Sequence, residues 1–248
     1  MRWFAALLMA TAVSAGAEDL ETETFFEDFV AQRQHVAVLE ARYMQRTVTP
    51  DEQLTAGGSI LYVNPRRILF RYDEPELTYL IDEQRVFEYD ADLAQVQVIG
   101  LGDNPQTEAL FLGFESNLDR LEEAYEVAYF SPGEDECGDH GLRLRPLDPT
   151  DAYFEEVWIF LDGEDYVPCN IHVVNEDGSH VLIEISDYQV NVEIDPQETQ
   201  IWVPEGTSIV PREGPIERAG PEGAWLPEPR YPHTPTQEDA EEGGEAAP

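Results

Sequence analysis

The sequence predicts an α+β protein built mostly of antiparallel β-strands, and three observations carry that expectation. Short segments alternate apolar and polar residues with a period of two, and clusters of turn residues separate them. No amphipathic helix of crossover length stands between consecutive strands, which disfavours parallel pairing. The chain has 248 residues, 42% hydrophobic and 10% aromatic, enough for one sizeable core.

The elements follow in order. Residues 1–17 read as a secretory signal: Arg2, a short apolar run from Trp3 to Val13, and the small-x-small pattern Ala15-Gly16-Ala17. The run is too short to span a bilayer comfortably, so an exported chain starting near Glu18 is expected. Residues 21–34 read as a helix, because Phe25, Phe26, Phe29 and Val30 recur with helical spacing and Thr22 or Thr24 can cap it. From Val36 the period changes to that of a strand. Residues 50–58 form a turn; strands are then expected at 59–64, 66–73, 77–81, 85–89 and 95–99. The pattern breaks over 105–124, where one or two short helices fit. Strands resume at 126–130, 142–146, 155–161, 169–175, 181–192 and 200–203, with Gly163, Asp177-Gly178 and the segment 204–206 as turns. The folded domain is therefore expected over residues 18–210. From Pro211 to Pro248 the composition turns to Pro, Glu, Gly and Ala, which reads as a disordered acidic tail.

Charge excludes several partners. There are 52 acidic against 14 basic residues, net −38, and every basic residue is arginine. Such a surface repels phosphate backbones and anionic headgroups, so nucleic acid and direct membrane-surface binding are disfavoured. Dense carboxylates without compact ammonium groups suit a protein hydrated in strong brine; a merely acidic protein is the other reading. Cys137 and Cys169 are expected to pair, as two cysteines in an exported protein usually do.

No nucleophile elbow, phosphate loop, dinucleotide fingerprint or zinc-protease motif occurs, so neither catalytic residues nor a cofactor or metal is expected. His172 and His180 flank a turn and are placed to face each other, but two such ligands make a poor metal site. The loop 134–140 is acidic but lacks the oxygen spacing of a calcium loop. What remains is a set of bulky residues at alternate strand positions: Ile60, Tyr62, Ile68, Phe70, Tyr72, Phe87 and Tyr89, with Trp158 and Phe160. An ordinary packed β core would look like this. So would a curved sheet enclosing a cavity under helical segments.

An ordered series of stretches resembles the LolA family of periplasmic lipoprotein carriers. Residues 41–45 (ARYMQ) match its A-x-aromatic-x-Gln strand, and residues 58–65 (GSILYVNP) its Gly-to-Pro strand. Ile68, Phe70, Tyr72 and Glu74-Pro75 follow at the family's spacing. Residues 82–89, 92–96, 110–113 (LFLG), 142–146, Asp177-Gly178, Tyr188 with Asn191, and 203–207 continue the run in order. The resemblance covers roughly residues 19–210 and implies an unclosed antiparallel barrel covered by short lid helices. It implies a cavity lined by Ile60, Tyr62, Ile68, Phe70, Tyr72, Phe87 and Tyr89, taking the acyl chains of lipoproteins. The implied partners are an inner-membrane ABC complex that loads a monomeric periplasmic carrier and an outer-membrane acceptor. A sensing or regulatory module on the same scaffold is the alternative.

Two positions depart from the family pattern. The family carries an arginine just before the strand proline, which ties down the lid; here that residue is Asn64. The resemblance then implies that Arg66 or Arg67 substitutes, only one of which can face inward. Leu110 and Leu112 would belong to the lid. The other departure is Glu83, at the family's turn glycine.

Overall fold

A computed structural model describes residues 15–101, 111, 114, 118–149, 154–163, 165–212 and 214–227. The N-terminal helix α1 runs Ala15–Arg33. After it come β1 (Val38–Val48), β2 (Gln53–Val63), β3 (Arg67–Tyr72), β4 (Leu77–Ile81), β5 (Arg85–Asp90) and β6 (Gln95–Gly100). A short helix α2 (Leu118–Ala124) leads into β7 (Tyr125–Phe130), β8 (His140–Pro146), β9 (Glu156–Leu161), β10 (Pro168–Val174) and β11 (His180–Val190). The chain ends in β12 (Ile201–Val203), β13 (Ser208–Pro211), β14 (Glu217–Arg218) and β15 (Ala224–Leu226).

Thirteen strands make one sheet in the order β14-β13-β6-β5-β4-β3-β2-β1-β11-β10-β9-β8-β7. Its two ends do not pair, so the barrel is not closed. Every described pairing in this sheet is antiparallel except β13 on β6. The long hairpin β1–β2 keeps register across its length, from Val38 opposite Val63 to Val48 opposite Gln53. Its turn is shorter than the 50–58 expected, because Thr49 clasps Glu52 through both backbone and hydroxyl. Asp187, with φ 51°, accompanies a register shift between β1 and β11; such bulges bend a sheet and increase its twist.

The turn between β4 and β5 shows how the Glu83 departure is accommodated. The buried Asp82 accepts backbone N–H bonds from Gln84 and Arg85, so a carboxylate turn replaces the glycine. Cys137 and Cys169 are bonded and join the β7–β8 loop to β10.

The boundary at 210 needs correction. Residues 211–212 and 214–227 are folded, not tail: β14 pairs with β13, β15 pairs with β12, and Ala219 and Leu226 are buried. Composition hid this because few apolar residues do the work, spaced between Pro, Glu and Gly. Residues 228–248 lie outside the described residues.

Candidate functional site

Period-two geometry gives the sheet two faces, and both are buried along β2–β5. The concave row Leu39, Tyr62, Ile68, Ile81 and Val86 runs across five neighbouring strands. A second row joins Ala41, Ile60, Phe70 and Tyr79. A third passes from Tyr43 over Gly58 to Tyr72. Gly58 is needed there: a Cβ would lie 2.8 Å from the Tyr43 ring and 2.0 Å from the Arg71 carbonyl oxygen. In that space the Tyr43 ring meets Phe70 and Tyr72 edge-on, at 5.9 and 5.6 Å. Burial pushes the Tyr43 and Tyr72 phenols up, so both stay neutral.

Ile60, Tyr62 and Ile68 are thus buried in the concave cluster, with Phe70 and Tyr72 packed against it. Phe87 and Tyr89 are not there. They lie on the convex face with Leu61, Leu69, Leu80 and Val96, under Ile201, Val203 and Leu226. The expectation failed because rings were chosen by bulk. The β4–β5 turn fixes the parity, placing Val86 opposite Ile81 and Phe87 opposite Leu80, so the smaller Val86 packs on the concave cluster.

The concave cluster is covered by α1 and by Phe111 and Phe114. Phe25, Phe29, Phe111 and Phe114 are all buried in it. Phe25 contacts Tyr129, His140 and Tyr166, with centroids 4.5, 5.1 and 5.6 Å away; Phe114 stands 5.9 Å from Tyr62. At the C-terminal end of α1, Asn191 clasps the junction with β1. Its Oδ1 accepts from Ala37 and Val38, and its Nδ2 donates to the His35 carbonyl oxygen.

The deepest of the buried arginines among the described residues is on α1. Arg33 is 2% exposed, one helical turn after Phe29 on the same face, and its Nη2 donates to the Phe114 carbonyl oxygen. Desolvation pushes its pKa down to about 10, so it remains charged near neutrality. Sequence reading missed it. The available signal was the stripe itself: stepping by four from Phe25 and Phe29 lands on Arg33, a charge where an apolar residue is expected.

Arg66 and Arg67 part company. Arg66, with φ 50°, is buried and lies 4.2 Å over the Phe111 ring, whereas Arg67 donates to Thr199 Oγ1 at 3.3 Å. Asn64 lines a cleft of about 420 Å³ with Pro65, Arg66, Arg67, Asp82 and Pro227. Leu110 and Leu112 lie outside the described residues. His172 Nε2 and His180 Nδ1 stand 3.2 Å apart, paired with each other. Among the described residues no three His, Cys, Asp or Glu side chains converge as metal ligands.

Against this geometry, the family model of the outer membrane lipoprotein carrier protein LolA matches residues 34–201. The chain belongs to the LolA family. It is 28% identical over 179 residues to an outer-membrane lipoprotein carrier protein of Alkalilimnicola ehrlichii, covering 71% of this chain and 78% of that one. Its identity to the protein of the same name from Bordetella pertussis is 30% over 210 residues, 83% of this chain and 91% of that one. A solved LolA superfamily protein from Nitrosomonas europaea superposes with a TM-score of 0.36 and 11% identity, over 68% of this chain and 94% of that chain. The LolA match stops at 201, so the strands β13 to β15 lie beyond it.

Proposed function

We propose that this chain is a non-enzymatic periplasmic carrier that shields the acyl chains of lipoproteins on its concave face while they cross between membranes. The observation that carries the reading is the chamber's cover. Its rings are seated on the sheet by side-chain contact, and Arg33 makes a direct polar tie from α1 to Phe114. Such a cover can lift while the β-ladders stay intact. The curated relatives are named as outer-membrane lipoprotein carrier proteins, which supports the same reading.

In the closed form the protein's own phenylalanines occupy the apolar space. Cargo enters by exchange: acyl methylenes take the place of Phe25, Phe29, Phe111 and Phe114 against Ile60, Tyr62, Ile68, Phe70 and Tyr72. Each methylene hidden from water contributes about 0.8 kcal/mol, so a multi-chain anchor offsets the cost of exposing those rings. Without a nucleotide site in the sequence, loading energy is assigned to an inner-membrane ABC complex, and delivery to an outer-membrane acceptor. The carrier acts as a monomer. Arg33 takes over the lid tie that Asn64 cannot make, with Arg66 stacked on Phe111 beside it.

The test is direct. The mature chain, expressed in high salt and extracted with solvent, should yield bound acyl lipid by mass spectrometry. It should also release a lipoprotein from inner-membrane vesicles carrying the ABC complex. No lipid together with no release would overturn the carrier reading.

A further inference from the structure

Arg33 holds more hydrogen-bonding capacity than its surroundings use. Nη2 is engaged by Phe114, but Nε and Nη1 are buried and have no partner. Asp165 lies near enough to favour the charged guanidinium electrostatically. A buried cation with two unmet donors is costly, and native proteins keep such groups where something else completes them. Here the unmet donors lie one helical turn beyond Phe29 on the apolar stripe of α1, beside the Phe114 carbonyl.

We propose that Arg33 is the polar anchor of the acyl site, its Nε and Nη1 receiving the ester carbonyl oxygens of a diacylglyceryl group whose chains lie along the concave face. The proposal rests on the carrier reading and names the chemical group that reading leaves unspecified. Covalent geometry favours two acceptors over one. Nε–H and Nη1–H face different edges of the planar guanidinium, so a single carboxylate cannot bridge both, whereas the paired carbonyls of a diacyl ester are separate and stand where the chains begin. Loading then has two linked parts. The Phe114 carbonyl leaves Nη2 as the cover lifts, and ester carbonyls supply the acceptors that the closed form lacks.

Lipoproteins and phospholipids share this diacylglyceryl ester, so the experiment needs both. Delipidated mature chain is titrated with a dipalmitoyl S-glyceryl-cysteinyl peptide, with its dihexadecyl ether counterpart, and with dispersed dipalmitoyl phosphatidylglycerol and its ether. Wild type should bind the diester peptide about tenfold or more tighter than the diether, the scale of hydrogen bonds to a charged donor. Arg33→Met should bring the two within about twofold while still binding the diether, and Arg33→Lys should fall between. An ester preference confined to the phospholipid pair would keep the anchor and reassign the cargo. Equal binding of diester and diether by wild type overturns the anchor, and so does a preference that survives Arg33→Met. Failure of wild type to bind any of the four probes would instead bring down the carrier reading and this proposal with it. The wild-type ratio needs no variant, so it decides even where Arg33→Met does not fold.

Discussion

The two buried faces of strands β2–β5 are made of different materials and closed in different ways. The convex cluster is largely aliphatic: Leu61, Leu69, Leu80 and Val96 meet Ile201, Val203 and Leu226. Its cover is tied by backbone, since β12 pairs with β15 and β13 adds to the sheet alongside β6. Arg67 and Arg71 add bonds to Thr199 Oγ1 and to the Glu198 carbonyl oxygen. The concave cluster is rich in rings, and its cover touches the sheet through side chains, with Asn191 clasping the junction of α1 and β1. A cover held by ladders, β12 with β15 and β13 with the main sheet, is fixed by backbone. One seated by rings and a guanidinium can leave on its own. On the proposed carrier reading, stability and exchange fall to opposite sides of the same strands.

The strongest way to break that division is Leu80→Ala. Leu80 is fully buried on the convex face, and truncation there should cost about 2–5 kcal/mol in denaturant unfolding. Acyl-lipid uptake by the surviving folded protein should be unchanged; lost uptake at full stability would contradict the assignment. The half of the sheet formed by β7–β11 offers a second comparison. Its outer face carries Phe130, Trp158 and Phe160 against one another, with Arg143 5.4 Å over Trp158, and the Cys137–Cys169 bond ties the β7–β8 loop down. That bond spans 32 residues, so the chain-entropy argument gives about 3–4 kcal/mol. Replacing both cysteines by serine should lower stability by that amount, read by denaturation with and without reductant in the wild type.

Uptake itself should respond on the concave side alone. Phe70→Glu places a carboxylate among Ile60, Tyr43 and Tyr79 and should weaken acyl-lipid binding about tenfold or more. Phe87→Ala, one strand-row away on the convex face, should destabilise the fold yet leave binding intact. Equal effects of the two on binding would erase the distinction between faces.

Much of this was legible in the residues and some was not. Strand positions followed from alternation, because side chains on a half-buried strand must alternate. The β4 bounds coincide with those expected, and the neighbouring strands shift by a residue or two. Which face a given ring occupies was not legible where a turn intervened: the parity across Asp82–Arg85 depends on how many residues the turn consumes, which its composition does not state. The strands beyond residue 210 were hidden for a different reason. β14 and β15 are short, and they are ordered by a partner sheet rather than by their own periodicity. Arg33 was overlooked because a charge in a terminal helical turn is ordinarily solvated, and only tertiary packing shows it to be enclosed.

The smallest effect separates the outer face of the second half from the chamber by pH. His172 lies on that outer face, across from Trp158 and Leu182, and shares a hydrogen bond with His180. Desolvation, and then the neighbouring His180, hold its pKa below the ordinary 6.5. The unfolded chain therefore takes up this proton first as pH falls, so folding stability declines between 6.5 and the lower folded value and is unaffected above that window. His172→Gln should melt like wild type at pH 7.5 and lose less melting temperature than wild type on going to pH 5. The ring is only partly buried, so solvent screening keeps the difference small. An unchanged pH dependence in the variant would show that the histidine pair does not sense acid, and any acid response would then have to be sought elsewhere in the fold.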